Sequence, residues 1–189
     1  MLPVAIGVTT VLALSYFTGP RNTSPMTGPD GKTYEIQNLP NKEEAVKRMA
    51  GICEKLDRLR ASYASEPALV ADPPIARFLA RFRPDSFVEN DMSSKDTSYS
   101  ENKGQKIVVC LRDKTRPPEY PLIEENTIMF VMLHEMAHLM TETIGHTQEF
   151  WTNFKRLLHD AVKIGIYTSV NYAQTPTPYC GMQITDNPI

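Results

Sequence analysis

From Ile128 to Leu133 the chain reads IMFVML, apolar on every side of any helix it could form. A helix of that kind has to lie in the middle of its domain, packed by other elements all round. Directly after this run come His134, Glu135 and His138, in the order His-Glu-Met-Ala-His. The fold must therefore find partners for two imidazoles and a carboxylate near its core, because a buried polar group without one costs about 1–3 kcal/mol. Residues four apart on a helix rise about 6 Å and differ by roughly 40° in direction, so His134 and His138 face the same way and can share one ion. Glu135 lies about 100° round from His134, beside that ion without being one of its helical ligands. A carboxylate there can take a proton from metal-activated water.

A catalytic zinc ion wants three protein ligands and an open position. The candidates for the third ligand are Glu142, His146 and His159. Glu142 shares the histidine face but lies roughly 9 Å along the axis from their midpoint, beyond its reach while the helix is intact. His146 follows Gly145, where the helix can end and the chain fold back toward the ion, and it is the preferred ligand. His159, near the end of the next helical stretch, is the alternative. The expected cofactor is Zn2+ on His134, His138 and His146, with Glu135 as the catalytic group. Two plainer readings stand beside this one: core histidines satisfied without a metal, and a structural zinc, which usually takes four Cys or His ligands.

The remaining sequence frames this helix. Lys32–Leu39 reads as a short strand. Asn41 and Glu44 have capping-box spacing ahead of an amphipathic helix to about residue 63, whose apolar stripe includes Met49, Ile52, Cys53, Leu56 and Leu59. Pro73-Pro74 opens a shorter helix, with Ile75, Phe78, Leu79 and Phe82 inward and Arg77, Arg81 and Arg83 expected in solvent. Residues 90–104 read as a polar loop and 105–112 (QKIVVCLR) as a strand. Pro121 suits the first turn of the central helix, Glu124 and Glu125 complement its dipole, and Gly145 is a natural stop. A further helix, about Gln148 to Lys163, turns Phe150, Trp151, Phe154, Leu157, Leu158, Ala161 and Val162 inward. The tail beyond Ile166 reads as extended, and Tyr167, Tyr172 and Tyr179 are its candidates for an oxyanion donor. The fold class is α+β, a small sheet packed on a buried helix with flanking helices.

Twenty basic against 22 acidic residues give a net charge of −2, so charge does not imply a nucleic-acid partner. Three cysteines, far apart and without a C-x-x-C, argue against a disulfide scaffold or a cysteine zinc ribbon. The N-terminus is different in kind. No charged side chain precedes Arg21, and residues 2–17 read LPVAIGVTTVLALSYF. As a helix that is about 24 Å, short of a hydrocarbon core of roughly 30 Å. The leading expectation for residues 1–20 is a signal-anchor that associates the protein with a membrane. The alternatives are a cleaved signal peptide, which would give a secreted protein, and a strand or helix that completes the core. The Pro- and Gly-rich residues 21–32 have linker composition, leaving 33–189 as the folded domain.

His134-Glu-Met-Ala-His138 followed by Gly145-His146-Thr-Gln-Glu-Phe150-Trp151 resembles the WLM metalloproteases and their SprT-like relatives. Those proteins pair H-E-x-x-H with a downstream G-H and an F-W or F opening the next helix. The resemblance covers roughly residues 105–160. It implies a minimal zincin, with His134, His138 and His146 as zinc ligands and Glu135 as catalytic carboxylate. The function expected is a zinc-dependent metallopeptidase acting on a protein or peptide substrate. The alternative is a membrane-tethered zinc-binding module that recognises a protein without hydrolysing it. The sequence does not specify an oligomeric state.

Overall fold

The computed structural model describes residues 22–189. Its first strand, β1 (Thr23–Thr27), lies inside the segment whose composition reads as linker. β1 pairs antiparallel with β2 (Thr33–Gln37) and forms one end of the sheet, where Pro25 removes an amide that a central strand would need. The linker expectation for 21–32 is corrected to that extent: Pro and Gly here shape an edge hairpin.

Helix α1 (Lys42–Ala64) follows with the expected apolar stripe, and Cys53 is buried in it as a free thiol. The capping box is absent. Asn41 adopts a left-handed conformation and caps with its backbone carbonyl alone. A short turn of helix, α2 (Pro67–Val70), leads into α3 (Pro73–Arg81), which opens on its two prolines as expected.

Strand β3 (Phe87–Glu89) runs parallel to β2 and to β5 (Lys106–Val109). Within the stretch expected to be loop, β4 (Tyr99–Glu101) pairs antiparallel with β5 through a turn at Asn102, Lys103 and Gly104, all at positive φ. Gly104 is required there, since a Cβ would sit 2.6 Å from the carbonyl oxygen of Arg81. The five-stranded sheet has the order β1-β2-β3-β5-β4, which leaves β4 at the other end.

Helix α4 (Glu125–Met140) carries the His-Glu-Met-Ala-His run, and α5 (Gln148–Lys163) packs along it. Pro121 lies ahead of α4. The helix is capped by the Glu124 side chain, which accepts from the Thr127 amide at 3.0 Å. In α5 the expected inward face holds except at Val162, which is 40% exposed. The tail turns back as a second hairpin, β6 (Thr177–Tyr179) and β7 (Met182–Ile184), around Cys180 and Gly181 at positive φ. Cys110, just past β5, is bonded to Cys180 at the tip of this hairpin. Spacing argued against a disulfide scaffold; one bridge exists because the tail folds back 70 residues later in the chain onto the end of β5.

The α+β expectation holds, and one continuous core of side chains from all the helices except α2, and from both sheets, sits between them. No helix among the described residues is long and apolar enough to cross a membrane, so the expected membrane localisation is corrected. The segment on which it rested, residues 1–20, lies outside the described residues.

A buried ion pair ties the sheet to the loop before α4. Arg112 donates from Nε to Glu89 Oε1 at 2.8 Å, with both side chains fully excluded from solvent. Glu89 also accepts from the Gln37 amide at 2.7 Å, and Arg112 donates to the carbonyl of Pro40. Glu89→Ala leaves the guanidinium buried without its counter-charge and should destabilise the protein by about 3–5 kcal/mol in urea unfolding; a loss below about 1 kcal/mol would contradict the pairing.

Candidate metal centre

From Thr127 to Met140 every residue of α4 is buried except Val131, His134 and His138. Their spacing of three and four residues makes one stripe, so the helix has a single open face, and two of its three residues are the paired histidines. His146 arrives from the loop between α4 and α5. Its Nε2 lies 3.0 Å from Nε2 of His134. One ligand atom from each of His134, His138 and His146 falls within 4.8 Å of the others, which is the only such group of His, Cys, Asp or Glu among the described residues. The other two candidates do not come near. Glu142 is exposed and stands 3.7 Å from Arg77, and His159 is exposed on α5.

The three rings are packed on one residue. Phe150, in the first turn of α5, lies 4.8 Å from the ring of His134, 4.5 Å from His138 and 4.7 Å from His146. α5 starts where it does because the Thr147 side chain caps it, accepting from the Phe150 amide. One cap thus sets both the start of α5 and the place of the ring that holds the histidines.

The end of α4 is organised differently from the expected glycine stop. The helix ends at Met140, with Thr141 as its C-cap, and Gly145 comes later in the loop at positive φ. Cations satisfy the last carbonyls. Arg81 donates to the oxygens of Leu139 and Thr141, Arg77 to that of Met140, and Lys103 to that of Thr141. Positive charge at a helix C-terminus is favourable both as hydrogen bonding and against the dipole. Arg77 and Arg81 are therefore not the solvated pair expected; Arg83 is exposed as expected. Glu149 completes the frame by accepting from the amides of Glu142 and Thr143 and pairing with Arg77 at 2.9 Å.

Burial, reinforced by the neighbouring imidazoles, pushes the pKa of His134 down to about 3. That of His138 falls to about 4 through burial, His146 and the Lys103 ammonium. Both rings are neutral near pH 7, the form that coordinates a metal. A donor set of neutral imidazole nitrogens suits zinc, copper, iron or nickel and is a poor match for magnesium or calcium. The arrangement fits a transition metal.

Glu135 is buried on the adjoining side of α4, where desolvation raises its carboxyl to about 7 despite hydrogen bonds from the Ser100 amide and hydroxyl. Two hollows meet at His134, Glu135 and His146. One, of about 300 Å³, runs toward the β6–β7 hairpin, and an opener one, of about 510 Å³, extends past Ser100, Lys103 and Ile144. Of the three tyrosines considered as oxyanion donors, Tyr167 and Tyr172 stack on Phe130 in the core. Tyr179 lines the smaller hollow, but its hydroxyl is already engaged by Ser98 and the Cys110 carbonyl. Sequence reasoning missed Ser100, Glu149 and the capping cations. Ser100 sits on a strand read as loop, and Arg77 and Arg81 looked like any exposed helix face.

The family model described as WLM domain matches residues 97–178. An uncharacterized protein of Acanthamoeba polyphaga mimivirus is 33% identical over 159 residues, 82% of this chain and 79% of that protein. An uncharacterized protein of Invertebrate iridescent virus 6 is 40% identical over 70 residues, 37% of this chain and 38% of that protein. Among solved structures, Wss1 from Saccharomyces cerevisiae superposes with a TM-score of 0.52 at 24% identity, over 69% of this chain and 86% of that one, a likeness of fold.

Zinc added to metal-free protein should bind at about one ion per chain and, at roughly 100 times its Kd, stabilise the fold by about 2.7 kcal/mol. His146→Ala should weaken that binding at least about tenfold in calorimetry, while His159→Ala leaves it unchanged; equal effects would mean that the loop histidine is not a ligand.

Proposed function

The chain belongs to the WLM family, and from that premise we propose that it is a zinc-dependent endopeptidase using His134, His138 and His146 as ligands and Glu135 as general base. The observation that carries this reading is the coincidence of three converging imidazoles with a buried carboxylate on the next position of the same helix. A bound zinc ion supplies a Lewis acid for the scissile carbonyl, acidifies a water molecule and favours the ionised form of a neighbouring carboxylate.

The protein's own groups would do the rest. Glu135 accepts the proton from the attacking water and returns it to the departing amine. Burial raises this carboxyl and a bound ion would lower it again, so the two together would set how readily it takes and releases the proton. Ser100 positions the carboxylate through two hydrogen bonds, from its amide and its hydroxyl. Phe150 keeps the three imidazoles in register. The substrate itself has a natural guide. β4 is the end strand of the five-stranded sheet, and the segment from Thr97 to Ser100 runs along both hollows. A peptide laid along this segment would cross the site with chain continuing on either side, which suits cleavage within a protein or peptide. A zinc module that only recognised a partner would have no use for Glu135 in this position.

Glu135→Gln should lower kcat on denatured casein by about 10²–10⁴-fold. Zinc content should stay at one per chain in that variant. Proteolysis persisting at the original rate would remove the mechanism, and loss of zinc together with activity would assign Glu135 a structural part instead.

A further inference from the structure

The hollow between α4 and the β6–β7 hairpin is lined on one side by His134 and Glu135, but its hairpin wall has no part in the chemistry above. Phe130 and Val131 wall it from α4, at and just before the turn that leads to His134, and Met182 and Ile184 face them from β7. Its volume of about 300 Å³ is at the small end of ligand-sized cavities. Besides the site's own histidines, the ionisable groups along it are the Glu135 and Asp186 carboxylates and the Tyr179 phenol, and no lysine or arginine of the described residues lines it. An acidic side chain entering here would lose water while facing the Asp186 carboxylate, with no side-chain cation of the described residues along the hollow to pair with it. A basic one would find Glu135, beside which the bound metal ion would repel it, and Asp186, which is exposed, where a solvent-screened pair contributes little. An apolar one would lose water against apolar walls, which is favourable without any partner.

The wall opposite α4 is also held in place before any substrate arrives. The hairpin tip is bonded to the end of β5 through Cys110–Cys180, and the Tyr179 hydroxyl bridges Ser98 and the Cys110 carbonyl. Met182, next in the hairpin after this anchored tip, is nonetheless 49% exposed. A flexible thioether standing half-open on a fixed wall is suited to closing over an apolar guest.

Building on the endopeptidase reading, we propose that this hollow receives one apolar side chain of the substrate, at the residue flanking the scissile bond on the hairpin side, and that Met182 is the residue that selects it. The preference is then a property of the cavity alone and is readable without turnover.

Zinc-loaded Glu135→Gln protein is titrated with labelled peptides of glycine, serine and alanine that differ only in one central residue, Leu, Ser, Lys or Asp. The Leu peptide should bind about tenfold or more tightly than the Ser and Asp peptides, the scale of discrimination an apolar pocket provides. The Met182 methyl resonance, identified by its loss in Met182→Leu, should shift with the Leu peptide. Met182→Lys should invert the order so that the Asp peptide binds best. Equal binding of Leu and Asp peptides, or an order unchanged by Met182→Lys, would overturn the assignment. Digestion of the same Leu peptide by the native sequence is read separately: selective binding without cleavage would sink the endopeptidase reading and leave the pocket standing.

Discussion

Helix α4 is buried from Thr127 to Met140 except along Val131, His134 and His138, and the other elements are arranged around that exception. An apolar helix can be enclosed by any well-packed set of neighbours, but a helix with two imidazoles on its one open stripe constrains what may face it. Here the facing groups are a third imidazole from the following loop and the ring of Phe150. The sheet supplies the opposite rim through β4, whose Ser100 reaches the Glu135 carboxylate. Core and candidate site are thus built from the same helix, and the polar side chains that would burden the core are the ones that converge at the candidate site.

The placement of His146 depends on how α4 ends. A helix terminus leaves carbonyls without partners, and three side chains from two distant elements, Arg77, Arg81 and Lys103, satisfy them. Glu149, one residue before Phe150, holds the first amides of the loop and pairs with Arg77. These bonds join the end of α4, the loop and the start of α5 into one unit. The loop histidine is therefore positioned by groups that never touch it as well as by the Phe150 ring that does. The β6–β7 hairpin, fastened by its disulfide to the end of β5, does the same for the far wall of the site.

What could be read in the sequence was what depends on local spacing. Two histidines four apart on an apolar helix declare a shared direction, and Gly145-His146 ahead of a new amphipathic helix declares a return toward it. The α1 stripe and the proline start of α3 were legible for the same reason. What escaped was set by contacts between distant segments. Cys110 and Cys180 give no spacing signal, because they meet only once the tail has folded back. Arg77 and Arg81 carry nothing in their neighbourhood that separates capping cations from solvated ones. Strand β1 was hidden by Pro and Gly, which read as linker unless the strand is known to be an edge, and β4 was hidden by its polar residues. At Asn41 a correct helix start was paired with the wrong cap, since backbone geometry took the role that the side chain could have played.

The central claim is that one metal ion is gripped by three imidazoles, two from α4 and one from the loop after it. X-ray absorption at the zinc edge of the loaded protein tests it directly. The first shell should consist of nitrogen and oxygen at about 2.0–2.1 Å, with the outer-shell pattern of three imidazole rings and no sulfur. Fewer than three imidazoles, or any thiolate at about 2.3 Å, would contradict the account.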